Sequence, residues 1–394
     1  MLKNNNNLNL DDYEKRQAFY NLVANSNTSR VFRQDNIMVD HIITNCKGQL
    51  DEISNFVLQF DVENTQVGDI SLVPTFNWVN LIEFYSNSQL IDSIRRDQIF
   101  VFHSFLDAWN VQNEGRIEGF LVDDNDVNGG LTPNITIAGQ SKRTYYLVIP
   151  NNVFTTKHLL LPAISDNFQL RIRVYYNSAE NITISGTPAN LEMNQITLLC
   201  NGIKYSNISA LEDLIKKGFE LDTLRHRWQS QNILISGGLD NQSLYDVQLS
   251  QISGDIELLF VFLQASGAKV QDYYQGTNPY YYALNNLELV DNNGTASGFY
   301  SKMGADYIRT VIPMCCQNSL WQSLFSVYMI PFSTNPEKTY KENAHVGSMY
   351  LDGKFNLRFQ SNIDVSLAST PMNLVSIGLQ RAKLYIKDGF LRIE

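Results

Sequence analysis

The chain repeats a set of strand-like landmarks in the same order, once in each half. Asn80-Leu81 recurs as Asn286-Leu287, and Tyr146-Leu-Val-Ile-Pro150 as Val327-Tyr-Met-Ile-Pro331. Phe168-Gln-Leu-Arg171 is echoed by Phe355-Asn-Leu-Arg358, and Thr187-Pro-Ala-Asn-Leu191 by Thr370-Pro-Met-Asn-Leu374. The gaps between them are 70, 18 and 19 residues in the first half and 45, 24 and 15 in the second. One such match means little. Four in one order mark a duplicated domain, with the length differences falling in loops. The first copy then carries an insertion around 107–142 and the second a Tyr-rich one around 265–283.

Each copy reads as β structure. Phe56, Leu58, Phe60 and Val62 alternate with Val57, Gln59 and Asp61, and Leu170, Ile172 and Val174 with Arg171, Arg173 and Tyr175. Period-two alternation of this composition is a half-buried strand. Further runs predict strands near 98–106, 143–149, 194–200, 232–236, 306–313, 324–330 and 379–386, separated by turn clusters such as Asn128-Gly-Gly130. Two helices are expected. One covers 11–24, opening on Asp11-Asp12 and carrying Phe19, Leu22 and Val23. The other has Ser209 and Glu212 as a capping box, Leu211, Leu214 and Ile215 on one face, and Gly218 at the C-terminal αL position. It stands near mid-chain, where a connector belongs.

Composition removes several classes of function. No apolar run is long enough to span a bilayer, and the first ten residues have no apolar core for a secretory signal, so a soluble intracellular product is expected. Four cysteines, two of them adjacent, are no disulfide framework, and no CxxC pair offers metal-ligand spacing. A net charge of −10 without a Lys/Arg block argues against a grip on a phosphate backbone. Six Asn-x-Ser/Thr sequons follow from an Asn-rich composition.

Eight strands in two face-packed sheets make a jelly roll, which fits copies of this size. The expected fold is all-β: two tandem eight-stranded jelly-roll barrels with a short helical linker and an N-terminal helix. The partition is an N-terminal arm over 1–29, a first barrel over 30–205, a linker over 206–227 and a second barrel over 228–394. At this point the whole chain resembles the double jelly-roll major capsid proteins of the adenovirus hexon and of tailless, membrane-containing bacteriophages. The carriers are the Asn80-Leu-Ile-Glu83 strand followed by Ile99-Phe-Val-Phe-His103, the strand ending at Pro150 followed by Leu170-Arg-Ile-Arg-Val174, and their repeats. The resemblance implies pseudo-hexagonal homotrimers that tile an icosahedral shell in the virion, made in the host cytoplasm. It implies neighbouring trimers, penton or minor capsid proteins and an internal membrane as partners, with no cofactor, no enzymatic activity and no sequence-specific nucleic-acid binding. A carbohydrate-active or glycan-binding tandem jelly roll is the alternative.

Candidate sites are few. Asp124-Asn-Asp126-Val-Asn128-Gly129 opens like a calcium loop, but its twelfth position is Ile135 where a bidentate Glu is needed, so a polar surface turn is the plainer reading. The five histidines are scattered, and the Asp123-Asp124 pair suits a solvated turn. Tyr273, Tyr274, Tyr280, Tyr281 and Tyr282 form an aromatic cluster suited to an intersubunit contact. Lys15, Arg16 and Phe19 would give the first helix a thin basic, membrane-facing side.

Overall fold

The computed structural model describes residues 15–16, 37–44, 51–104, 135–154, 169–205, 216–235, 243–266, 284–291, 307, 311, 327–336, 338–339, 344–361, 370–387 and 390–394. The chain divides into two compact units. The first comprises Met1–Ile99, Gln112–Leu224 and Ala382–Glu394; the second comprises Phe100–Val111 and Arg225–Arg381.

In the first unit, strands β1 (Lys15–Arg16), β2 (Ile37–Thr44), β3 (Glu52–Asn64), β4 (Ile70–Leu72), β5 (Val79–Ser86) and β6 (Gln89–Arg95) precede helix α1 (Arg96–Ser104), whose residues from Phe100 on belong to the second unit. Strands β7 (Ile135–Ile137), β8 (Lys142–Ile149) and β9 (Gln169–Tyr176) follow, then helix α2 (Ala179–Ile182), β10 (Thr183–Ser185) and β11 (Leu191–Tyr205). Two four-stranded antiparallel sheets result, in the orders β1-β11-β3-β8 and β2-β9-β5-β6, with a small sheet β10-β4-β7 beside them. The alternation in β3 sends Phe56, Leu58, Phe60 and Val62 inward, each at most 1% exposed. There the rings from the two sheets interlock. Phe60 meets Trp78 edge-on at 5.1 Å and Tyr176 at 6.1 Å, and Phe56 packs on Phe154, which stacks on Phe84 at 4.6 Å. The Trp78 indole N–H, which burial would otherwise leave unpaired, donates to the Val73 carbonyl at 2.8 Å.

The second unit uses β12 (Phe219–Ile235) from Arg225 on, β13 (Tyr245–Gln248), β14 (Ser253–Ala265), β15 (Asn285–Val290), β16 (Tyr328–Pro331), β17 (Met349–Asp352), β18 (Asn356–Gln360) and β19 (Thr370–Lys387) as far as Arg381. β20 (Phe390–Ile393) closes a hairpin on residues 384–387 of β19, which belong to the first unit. The sheet orders are β12-β19-β14-β16, with β17 also on β14, and β13-β18-β15. Leu259, Val261 and Leu263 of β14 share one core with Val247, Leu287, Leu357 and Phe359 of the opposite sheet. The other face of β14 is buried as well, Phe262 lying edge-on to Phe100 at 5.8 Å.

The two units repeat one topology. β1-β11-β3-β8 corresponds to β12-β19-β14-β16, and β2-β9-β5 to β13-β18-β15. The sequence landmarks fall on matching strands: Asn80-Leu81 in β5 and Asn286-Leu287 in β15, Pro150 after β8 and Pro331 ending β16, Arg171 in β9 and Arg358 in β18. Leu191 opens β11, and Leu374 lies within β19.

Three local expectations are corrected. Lys15–Arg16, expected inside a helix over 11–24, form β1 and pair with Lys204 and Tyr205. A 14-residue helix with one thin apolar side is marginal by itself, and the edge of β11 satisfies the same backbone groups as the fourth strand of its sheet. The run Ile99-Phe-Val-Phe is helical in α1 rather than extended. Periodicity does not separate a buried strand from a buried helix in a short apolar run; the distinguishing signal is Gln98, whose side-chain oxygen accepts from the Arg95 N–H at 2.5 Å as the N3 half of a capping box. Tyr307 and Val311, expected in a strand, are likewise helical. Of the mid-chain helix, Ser209, Leu211, Glu212, Leu214 and Ile215 lie outside the described residues. Lys216 and Lys217 are helical, and Gly218 follows at φ +82°.

The β5–β6 hairpin turns on two residues of positive φ, Asn87 (46°) and Ser88 (71°). A primed turn matches the twist of the strands but strains any side chain other than that of Gly, Asn or Asp. Ser88→Gly is expected to raise stability by about 1 kcal/mol, read as a shift in the urea midpoint without a change in slope.

Candidate functional site

The outer faces of the two matching sheets carry the same charge pattern. Alternation places Asp40 between inward-facing Val39 and His41, and register sets it opposite Arg173 of β9, which lies opposite Glu83 of β5. The Arg173 guanidinium grips Asp40 through two bonds, 2.7 and 3.0 Å. That hydrogen bonding holds the Asp40 carboxyl below its ordinary pKa. Glu83 accepts from the Tyr85 and Tyr175 hydroxyls at 2.9 and 3.2 Å, while Arg171 lies over the Tyr85 ring at 4.5 Å. In the second unit Asp246, Arg358 and Glu288 stand in the same row: Arg358 donates to Asp246 at 2.9 and 3.2 Å and approaches Glu288 at 3.9 Å. Partly exposed pairs of this kind contribute about 0.2–1 kcal/mol each, so they orient side chains more than they stabilise the fold. In the first unit they fix a surface of Arg and Tyr flanked by Met38 and Ile42, 49% and 39% exposed, a composition suited to protein contacts.

A second cluster is buried. Glu257 is the extra residue of a β-bulge, Ile256 pairing with Gln380 and Leu258 with Leu379, and the bulge turns its side chain out of the strand's regular alternation. Its carboxylate, with no exposed side-chain surface, accepts from Arg381 Nε at 2.8 Å, Thr339 Oγ1 at 2.9 Å and the Val346 N–H at 3.4 Å, and pairs with His345 Nδ1 at 2.7 Å. Its backbone carbonyl takes the N–H groups of Phe332 and Ser333. The residue thereby holds the excursion between β16 and β17 against β14. Burial pushes the Glu257 pKa up, but the bonds from His345, Arg381 and Thr339 outweigh it and leave the pKa below the ordinary value. A Glu–His pair is half of a nucleophile-activating arrangement, but no Ser, Thr or Cys is placed against the other ring nitrogen among the described residues.

The other described histidines lie on separate elements. His41 is buried in β2, its Nε2 3.3 Å from the Tyr176 hydroxyl and its Nδ1 without a partner; half-buried His226 lies in β12 of the second unit, and His103 in α1. His158, the Asp123–Asp126 turn, Phe19 and all five tyrosines from Tyr273 to Tyr282 lie outside the described residues. No group of three metal donors occurs among the described residues. Burial lowers the His41 pKa to about 4. The unfolded chain therefore binds the proton first, and stability falls as pH drops from about 6.5 to 4. The loss attributable to His41 is about 3 kcal/mol. Urea unfolding across that range tests this: His41→Gln should remove about one proton from the pH slope, and an unchanged slope would contradict it.

The repeated topology bears on what the chain resembles. No protein-family model and no curated protein matches the sequence. Among solved structures, a chain of the PBCV-1 virus capsid superposes over 98% of both chains with a TM-score of 0.73 at 13% identity. The Faustovirus major capsid protein matches over 98% of this chain and 93% of its own, with a TM-score of 0.68 and 13% identity. The mavirus major capsid protein matches over 99% and 94%, at 0.54 and 11%. The fold is the double jelly roll. At these identities the likeness is one of fold, and it spans both jelly rolls and nearly the full length of each counterpart. The sites missed in the sequence all depend on that fold, because the partners of Glu257 and of both arginine rows come from segments far apart in the chain.

Proposed function

We propose that this chain is a major capsid protein that assembles as homotrimers and tiles an icosahedral shell. The observation that carries the reading is one strand order built twice in one chain. Two similar barrels per subunit and three subunits about a threefold axis make a block with six similar sides, which packs edge to edge on a flat facet. The matching arginine rows support it, since each barrel offers a similarly ordered outer sheet. The role is structural rather than enzymatic. It places the protein in the virion after synthesis in the host cytoplasm, with neighbouring trimers, penton or minor capsid proteins and an internal membrane as partners. Tyr273, Tyr274 and Tyr280–Tyr282 are proposed as contact residues between subunits. Native mass spectrometry and negative-stain imaging test the reading: six-sided trimers are expected, and a monomer with affinity for glycans would overturn it in favour of a carbohydrate-binding protein.

A further inference from the structure

The hairpin of β19 and β20 presents a cationic, aromatic tip on a chain whose net charge is −10. Lys387 and Phe390 are cross-strand partners at the turn, both exposed, and Phe390 leaves 65% of its surface in water. The base of the hairpin is firmly held, with Leu384, Ile386 and Leu391 each at most 1% exposed. Lys216 and Lys217 are exposed beside it. Gly218 seats them there, since a Cβ at that position would stand 2.9 Å from the Ile386 carbonyl and from Lys387 Cβ. Further from the tip the cations are matched, Lys383 by Glu220 at 3.2 Å and Arg392 by Glu394 at 2.7 Å. Among the described residues no carboxylate pairs with Lys217 or Lys387. Asp388, next to Lys387 in the sequence, subtracts one charge.

We propose that this tip, Phe390 with Lys216, Lys217 and Lys387, docks on an anionic lipid surface. An acidic chain is repelled by such a surface everywhere except where its cations gather, so the patch sets the orientation of approach. Lysine suits this contact: its alkyl stem lies along the acyl boundary while the ammonium stays among the headgroups. The exposed ring of Phe390, opposite Lys387, supplies the apolar anchor that charge alone lacks. A single-stranded nucleic acid is the poorer fit, because it calls for a charged groove with successive stacking rings, whereas here a single exposed ring stands opposite Lys387. The inference rests on the capsid reading only for its setting, an internal membrane.

The test is sedimentation of the purified full-length protein with phosphatidylcholine vesicles, with and without about a third phosphatidylglycerol. Binding is expected only to the anionic vesicles and should weaken with salt. Lys217→Gln with Lys387→Gln should lower partitioning about 25-fold, roughly fivefold for each lysine near the surface. Phe390→Ser should reduce the binding that survives high salt. All three positions are exposed, so circular dichroism melts of the variants should match wild type. Equal binding to both vesicles, none to either, an unaffected double variant, or preference for single-stranded DNA over anionic vesicles would each overturn the proposal. Six-sided trimers that ignore vesicles would refute the lipid contact alone; a vesicle-binding monomer would refute the capsid reading alone.

Discussion

Replacing Glu257 with Ala is expected to cost about 3 kcal/mol, at the lower end of the range for breaking a buried ion pair. The low end is argued from the partners. Arg381 is 36% exposed and His345 19%, so both can be partly rehydrated once the carboxylate is gone. Thr339 is fully buried and is left with Ser333 and the Asn335 carbonyl. The damage should be local before it is global: amide exchange should accelerate first at Val346, whose N–H donates to the lost carboxylate, ahead of Phe332 and Ser333, which keep the backbone carbonyl of residue 257, and ahead of β3 in the other unit. The pH dependence has a defined sign. Because the Glu257 pKa is lowered on folding, its contribution is full above the unfolded value of about 4.5 and fades as pH falls through the folded value. Glu257→Gln should flatten that acid limb. An unaltered acid limb, together with unchanged exchange at Val346, would sink the clamp.

Phe60→Ala should be still more costly, about 3–5 kcal/mol, since the ring is wholly buried and packs edge-on with both Trp78 and Tyr176. The neighbouring outward residue gives the control. Gln59→Ala removes only weak bonds to Asp61, both 3.4 Å long, and should change stability by less than about 0.5 kcal/mol. Trp78 fluorescence during urea unfolding reports on the cavity directly. Equal effects at positions 59 and 60 would mean that the sheet faces are wrongly assigned.

Most of the sheet framework was legible in the sequence because alternation is a local signal. The phases of β3 and β9 can be read from Phe56 to Val62 and from Leu170 to Val174 without knowing their neighbours. What was not legible depends on register. Arg173 is visible as an outward arginine, but whether it meets Asp40 or a neighbour is decided by pairing with β2, 133 residues away. The Glu257 cluster draws on residues 88 and 124 positions distant, and no spacing within the chain announces it. Lys15–Arg16 and the Ile99 run failed for another reason. Local propensity there was close to balanced, and an available sheet edge in one case and a side-chain cap in the other tipped the outcome.

The bulge at Glu257 has a consequence for how the chain avoids error while it folds. The run that follows, Leu258-Leu-Phe-Val-Phe-Leu263, is apolar on both faces, so nothing within it distinguishes correct alignment with β19 from a slip by one residue. It is also the kind of segment that pairs promiscuously between chains before the fold closes. A slip would carry the carboxylate away from Arg381 and strand it among leucines, a penalty of several kcal/mol for a displacement that costs the apolar residues almost nothing. One charged side chain thus acts as the index mark of an otherwise featureless strand.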